Sequence, residues 1–144
     1  MKQIANKIKT EWMSKVRLAQ IKSGDNAPLE INNKPTLIHR DCDMRYYHMS
    51  LEELNERRQA IQSHDLTDKQ RLTLISDALG DEFYLWIQSV ISHGLLDKIE
   101  DIILEIHKSN LSKLQDEDII MDDNCKIQKP SSYFKPDLHN ILFK

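Results

Sequence analysis

The chain contains 144 residues with a formal net charge of −3, and 40% of them are hydrophobic and 30% charged. This length and composition are typical of a globular domain and exclude wholesale disorder, while so small a net charge indicates no particular class of partner. Only three glycines are present, which favours an all-α fold, because tight turns and bulges use glycine whereas helix interiors reject it.

The first predicted helix spans Ile4–Lys22 and ends at Ser23-Gly24, and its apolar residues recur at every fourth position, as on one buried helix face. Met1–Gly24 has six basic residues against one acid, Glu11. We expect this basic helix to pack beside the acidic middle of the same domain. The alternative is an arm that binds nucleic acid or an anionic membrane. The basic residues are Lys2, Lys7, Lys9, Lys15, Arg17 and Lys22.

A long loop is predicted between the first two helices, over Asp25–Met49, because Pro28 and Pro35 cannot lie inside a helix. The second helix is expected to begin at Ser50, since Ser50 and Glu53 have the spacing of a capping box. Its apolar stripe is thin, so we expect its other face to be free for another role. The stripe consists of Leu51, Leu54 and Ile61.

Three further helices are expected along the chain. The third begins at Thr67, with Gln70 in the capping-box position, and runs to about Leu79. Gly80-Asp81 is expected to allow a break or a bend before the most apolar helix, which Gly94 closes. The fourth and fifth predicted helices span Glu82–His93 and Leu95–Leu114.

The C-terminal segment differs in composition from the rest, because it begins acidic, contains Pro130 and Pro136, and ends in large apolar residues. We predict a helical domain over 1–115, a small bundle of about five helices, followed by an irregular tail over 116–144. The apolar end is expected to dock on the same domain, since exposed termini rarely carry four large hydrophobic residues; the alternative is that it reaches a partner. These residues are Leu138, Ile141, Leu142 and Phe143.

We expect no catalytic residue, no metal and no cofactor. Five potential ligands lie close together near the start of the loop's second half, but zinc sites use paired, closely spaced Cys and His ligands, and only one Cys is present there. The acidic residues after Gln115 lack the glycine and terminal carboxylate of a calcium loop. Cys42 or Cys125 acting as a nucleophile is the enzymatic alternative. The five potential ligands are His39, Asp41, Cys42, Asp43 and His48.

The best candidate site is the segment Arg40–Met49 with the start of the second helix, where arginine, tyrosine and methionine are concentrated. Tyr and Arg are enriched at binding hot spots, and Met adapts to irregular surfaces. The simpler alternative is that the tyrosines pack under the loop, but two adjacent tyrosines do not both point inward easily. The predicted partner-binding residues are Arg40, Met44, Arg45, Tyr46, Tyr47, Arg57 and Arg58.

The function predicted from these patterns is that of a non-enzymatic protein-binding regulator: an inhibitor, an adaptor or a chaperone-like cofactor of a partner enzyme. A homodimer belongs to the same class of hypothesis. The alternatives are a nucleic-acid-binding protein that uses the basic N-terminal helix, which the acidic net charge disfavours, and a small cysteine-dependent enzyme.

The expected compartment is the cytoplasm. The two cysteines match no disulfide framework, which is typical of reduced thiols in a cytosol-like environment. No apolar run approaches the ~18 residues that span a bilayer, and the polar N-terminus has no apolar stretch like that of a secretory signal. Delivery into another cytosol without a classical signal peptide is the alternative.

Overall fold

The computed structural model describes residues 34–114 and 119–144, together with Glu11 and Lys15. Most of these residues are helical, which confirms the all-α class, and their β pairing is limited to one isolated bridge between Met121 and Ile127. The first predicted helix, Ile4–Lys22, lies outside the described residues, and a bundle of about five helices is not confirmed. The helices are α1 (Arg40–Gln62), α2 (Asp68–Ser92), α3 (Ile99–Leu111) and α4 (Leu138–Phe143), with a 3-10 helix, Ser112–Leu114, after α3.

Helix α1 begins at Arg40, so the prediction of a loop reaching Met49 and of a helix start at Ser50 is wrong. The side chain of His39 caps the helix, because its Nδ1 accepts a hydrogen bond from the backbone N–H of Asp41 at 3.3 Å. Two acidic residues in the first turn favour a helix start at this point, since they complement the positive end of the helix dipole. Of the predicted loop, the described residues 34–39 remain irregular.

Helix α2 begins as expected and continues further than expected. Thr67 and Gln70 form the predicted capping box, in which the Gln70 Oε1 atom accepts from the Thr67 backbone N–H at 3.0 Å. Of the predicted break or bend at Gly80-Asp81, the break is wrong, because one helix, α2, runs through these residues to Ser92. A methyl group added at Gly80 would meet no heavy atom within 4 Å, so the glycine lies on an open part of the helix. A glycine there weakens a helix by only about 1 kcal/mol, and packing on both sides of it offsets that cost.

The C-terminus of α2 confirms the predicted role of Gly94. This glycine has a φ of 64°, a left-handed conformation that suits a residue without a Cβ atom. The N–H groups of Gly94 and Leu95 donate to the carbonyl oxygens of Ile91 and Val90, both at 3.0 Å. These two hydrogen bonds form a Schellman motif, which satisfies carbonyl groups that the helix leaves unpaired.

Two compact units divide the chain, and the boundary lies between Leu96 and Asp97. In the first unit α1 and α2 form an antiparallel hairpin, in which Ala60 of α1 and Ala78 of α2 are both buried. The order of the contacts shows that the helices are antiparallel. Tyr46 near the start of α1 contacts Ser92 at the end of α2, whereas Arg57, later in α1, contacts Glu82, earlier in α2. Small residues at the contact allow the two backbones to approach closely.

The second unit consists of α3, the 3-10 helix and the C-terminal segment. Helix α3 begins four residues later than Leu95, and the tail is not wholly irregular, since it ends in α4. Buried serines attach the tail to α3: Ser109 Oγ donates to the Phe134 carbonyl at 2.8 Å, and Ser112 Oγ accepts from the Phe134 N–H at 3.2 Å. The predicted division at residue 115 stays a prediction.

Within the described part of the chain, none of the helices combines the length and the hydropathy that crossing a membrane requires.

Candidate protein-binding surface

The seven predicted partner-binding residues all lie on α1, but they point in different directions. Because successive residues of an α-helix are turned by about 100°, Arg40, Met44, Tyr47 and Arg58 share one side of α1. All four are exposed. The remaining three, Arg45, Tyr46 and Arg57, lie elsewhere on the helix, so the structure divides the predicted site into two groups.

Tyr46 is buried against α2 and cannot form part of an exposed surface. Its side chain is 6% exposed and its hydroxyl lies 3.2 Å from Ser92 Oγ, whereas the Tyr47 side chain is 58% exposed. The Arg45 guanidinium lies 5.6 Å from the centre of the Tyr46 ring, a cation–π distance. The expectation that two adjacent tyrosines cannot both point inward is therefore confirmed, and only Tyr47 faces solvent.

Arg57 also faces α2, where it forms an ion pair that links the two helices. Its Nε atom lies 3.2 Å from Glu82 Oε1, and both side chains are more than two-thirds buried. Glu82 Oε1 is fully buried and, within the described residues, accepts no hydrogen bond of good geometry. The ion pair is therefore what compensates this carboxylate in the interior, and Arg57 serves the hairpin itself.

Helix α1 carries an exposed apolar ridge that was not predicted from the sequence. Met44, Tyr47, Leu51, Leu54 and Ile61 are all large and exposed. With Arg40 and Arg58 they follow one another at alternating spacings of four and three residues, which is the heptad repeat of a helix that contacts another helix. Leu51, Leu54 and Ile61 were expected to form the buried stripe, but the side of α1 that packs on α2 carries Tyr46, Arg57 and Ala60 instead. We name the seven residues the α1 ridge: Arg40, Met44, Tyr47, Leu51, Leu54, Arg58 and Ile61.

A groove of about 570 Å³ lies beside the α1 ridge, between α1 and α2. Leu54 forms one wall, and Leu79, Phe83 and Trp86 form the other. The rings of Phe83 and Trp86 stack with their centres 5.8 Å apart, and each of these four large side chains remains exposed. Contiguous apolar surface of this kind is a feature of interaction sites, whereas single exposed hydrophobic residues are ordinary.

The other side of the hairpin is acidic. Burial raises the pKa of the Glu53 carboxyl group, and its neighbours Asp81, Glu56, Glu52 and Asp77 raise it further by repulsion between like charges. We call these five carboxylates the acidic side: Glu52, Glu53, Glu56, Asp77 and Asp81. Three of these residues belong to α1, where the turn of about 100° per residue places them on a different side from the ridge, and two belong to α2.

The residues considered for metal binding or catalysis do not assemble into a recognisable centre. Among residues 34–114 and 119–144 there is no group of three or more His, Cys, Asp or Glu side chains placed to hold a metal ion. Cys42 is half-buried on α1 and Cys125 is exposed in the tail. His93 Nδ1 lies 2.8 Å from the Ser89 carbonyl and its Nε2 lies 3.6 Å from Asp43, contacts that fix the end of α2 against α1.

Comparison with known sequences matches this chain to no protein-family model and to no curated protein.

Proposed function

We propose that this chain is a non-enzymatic protein-binding regulator, an inhibitor, adaptor or chaperone-like cofactor of a partner enzyme, and that it binds its partner through the α1 ridge. One observation carries the proposal: an exposed apolar heptad repeat lies beside a groove walled by Leu79, Phe83 and Trp86. A helix that leaves such a repeat facing solvent offers the surface on which partner helices pack. Four of the residues predicted from sequence belong to this ridge, and Arg45, Tyr46 and Arg57 are no longer part of the proposed contact.

Two positions on opposite sides of α1 provide a matched test of this proposal. Leu51 lies on the ridge and is 42% exposed, and Met49 lies on the opposite side of the same helix and is 39% exposed. Replacing either residue by Asp adds the same charge at nearly the same exposure. We expect Leu51→Asp to reduce partner binding by about thirtyfold or more, which corresponds to a hot-spot loss of ~2 kcal/mol. Met49→Asp is expected to leave binding within about threefold of the unmodified chain.

The measurement is affinity capture from the source cells with the unmodified chain and both variants, followed by titration of the captured protein. Circular dichroism and thermal unfolding of the variants show whether the hairpin is intact. Equal binding by Leu51→Asp and Met49→Asp would contradict the proposal, because the ridge would then have no privileged role.

A further inference from the structure

The α1 ridge has the length and spacing of a helix-binding surface. From Arg40 to Ile61 it extends about 32 Å, which corresponds to three heptads. Alternating spacings of three and four residues keep a row of side chains in line with a second helix that runs along the first. The groove beside the ridge provides room for the apolar face of that helix, because α2 supplies the second wall.

Two arginines lie on either side of the apolar residues from Met44 to Leu54, and Ile61 lies beyond the second arginine. Arg40 precedes Met44, Arg58 follows Leu54, and both are exposed. Among the described residues, no carboxylate forms an ion pair with either arginine, and Asp43, three residues after Arg40, is paired with His93 instead. The other ion pairs on the hairpin are Asp41 with His39, Arg57 with Glu82 and Arg71 with Asp68.

The charge of the hairpin is therefore divided between its two sides. The ridge presents positive charge at both ends of an apolar stripe, and the acidic side presents five carboxylates. A helix with acidic flanks is attracted to the ridge and repelled from the acidic side, whereas a basic helix experiences the reverse.

A second copy of this chain fits the ridge poorly. If two copies of α1 paired antiparallel about the middle of the ridge, near Met49, then Arg40 of one copy would lie opposite Arg58 of the other. If they paired in parallel, each arginine would lie opposite its own equivalent. Both arrangements place like charges face to face, which disfavours self-pairing.

The basic N-terminal segment of the chain also fits the ridge poorly. Met1–Gly24 carries six basic residues and a single acidic one. Its apolar positions match a helix-binding groove, but its charge opposes Arg40 and Arg58. Charge complementarity therefore disfavours this segment as the occupant of the ridge.

We infer that the occupant of the α1 ridge and its groove is an amphipathic helix of a partner protein with about three heptads of apolar residues and carboxylates flanking its two ends. This inference rests on the proposed function and specifies the partner's chemistry. The apolar face of the partner helix covers Tyr47, Leu51 and Leu54, and its acidic flanks meet Arg40 and Arg58.

Two synthetic helical peptides of 21 residues test the inference with the full chain. Both carry Leu at the a and d positions of three heptads; one has Glu, and the other Lys, at the flanking positions of the first and last heptads. Fluorescence anisotropy of each labelled peptide measures its binding. We expect the acidic peptide to bind about tenfold more tightly at low salt, with the difference narrowing as salt rises.

Variants of the ridge show whether the peptides bind there: one reverses the charge of its two arginines, and the other places a charge in its apolar part. The double variant Arg40→Glu with Arg58→Glu is expected to reverse the preference between the two peptides, while Leu51→Asp is expected to abolish the binding of both. The control Arg45→Glu changes an exposed arginine on another side of α1 and is expected to leave the preference unchanged.

Several outcomes contradict the inference. Equal binding of the two peptides, or no binding, removes the acidic helix as the occupant. Tighter binding of the basic peptide identifies the chain's own basic segment as the better fit. A dimer in sedimentation that Leu51→Asp dissociates identifies a second copy as the occupant. The proposed function is tested by a different experiment. It is contradicted when the captured partner binds Leu51→Asp and Met49→Asp equally well.

Discussion

The two sides of the α1–α2 hairpin differ in how they distribute apolar and charged residues. On the ridge side, exposed apolar residues follow one another along α1 and continue into the groove at Trp86. The opposite side also exposes large apolar residues, such as Met49 and Leu74, but it carries the five carboxylates of the acidic side. Apolar surface becomes an interaction site when it is contiguous and bordered by compatible charge. The comparison therefore favours the ridge as the side on which a partner binds.

The largest expected loss of stability follows from overpacking the contact between α1 and α2, the helices that carry both sides. Ala78 is buried where α2 meets α1, and Ala78→Leu places three additional carbon atoms in that contact. We expect the free energy of unfolding to fall by about 1–3 kcal/mol, because an overpacked contact must shift its backbones. Urea unfolding monitored by circular dichroism measures this change. Ser76→Leu, at an exposed position of the same helix, is the control and is expected to remain within about 0.5 kcal/mol.

A smaller loss of stability is expected when the ion pair between α1 and α2 is broken. Arg57→Met leaves the buried Glu82 carboxylate without its charged neighbour. We expect a loss of about 1–2 kcal/mol in unfolding free energy, below the value for a fully buried pair because both side chains keep some solvent contact. Adding Glu82→Gln to this variant should recover most of the loss. Arg58→Met, one residue further along on the exposed ridge, should change stability by less than about 0.5 kcal/mol, and a loss as large as that of Arg57→Met would contradict the assignment.

The smallest expected effect is a pH-dependent change in stability caused by Glu53 on the acidic side. The pKa of Glu53 is raised in the folded chain, so the folded state binds a proton more readily than the unfolded state does. The contribution of this group to stability therefore falls as pH rises from its ordinary pKa through the raised one. Glu53→Gln should stabilise the chain by a few tenths of a kcal/mol at neutral pH, and the gain should fade at acidic pH. Thermal unfolding of both proteins at several pH values measures this, and a gain that grows on acidification would contradict it.

Elements of the fold that depend on local chemistry could be predicted from the sequence. The Thr67–Gln70 capping box and the left-handed Gly94 are each determined by a few adjacent residues, and both predictions are confirmed. The break at Gly80 was wrong because a glycine only weakens a helix, and contacts with α1 on either side outweigh that weakness. The extent of α2 depends on tertiary packing, which no local pattern contains.

Four residues of the candidate surface were predicted from the sequence, but the ridge to which they belong was not, because the start of α1 was misplaced. Ser50 and Glu53 have capping-box spacing, and this signal placed the helix start ten residues after Arg40. With Arg40–Met49 assigned to a loop, the heptad that joins Met44 and Tyr47 to Leu51 could not be seen. Short apolar stripes also do not reveal whether they face a core or solvent, so Leu51 was assigned to the core.

Oxidative footprinting of two methionines tests the central claim most directly. Met44 on the α1 ridge and Met49 on the other side of α1 are 41% and 39% exposed, so hydroxyl radicals should oxidise them at similar rates in the free chain. Mass spectrometry compares their oxidation with and without the captured partner. If the ridge is the binding surface, the partner slows oxidation of Met44 several-fold and leaves that of Met49 nearly unchanged. Protection of Met49 with continued oxidation of Met44 would contradict the account.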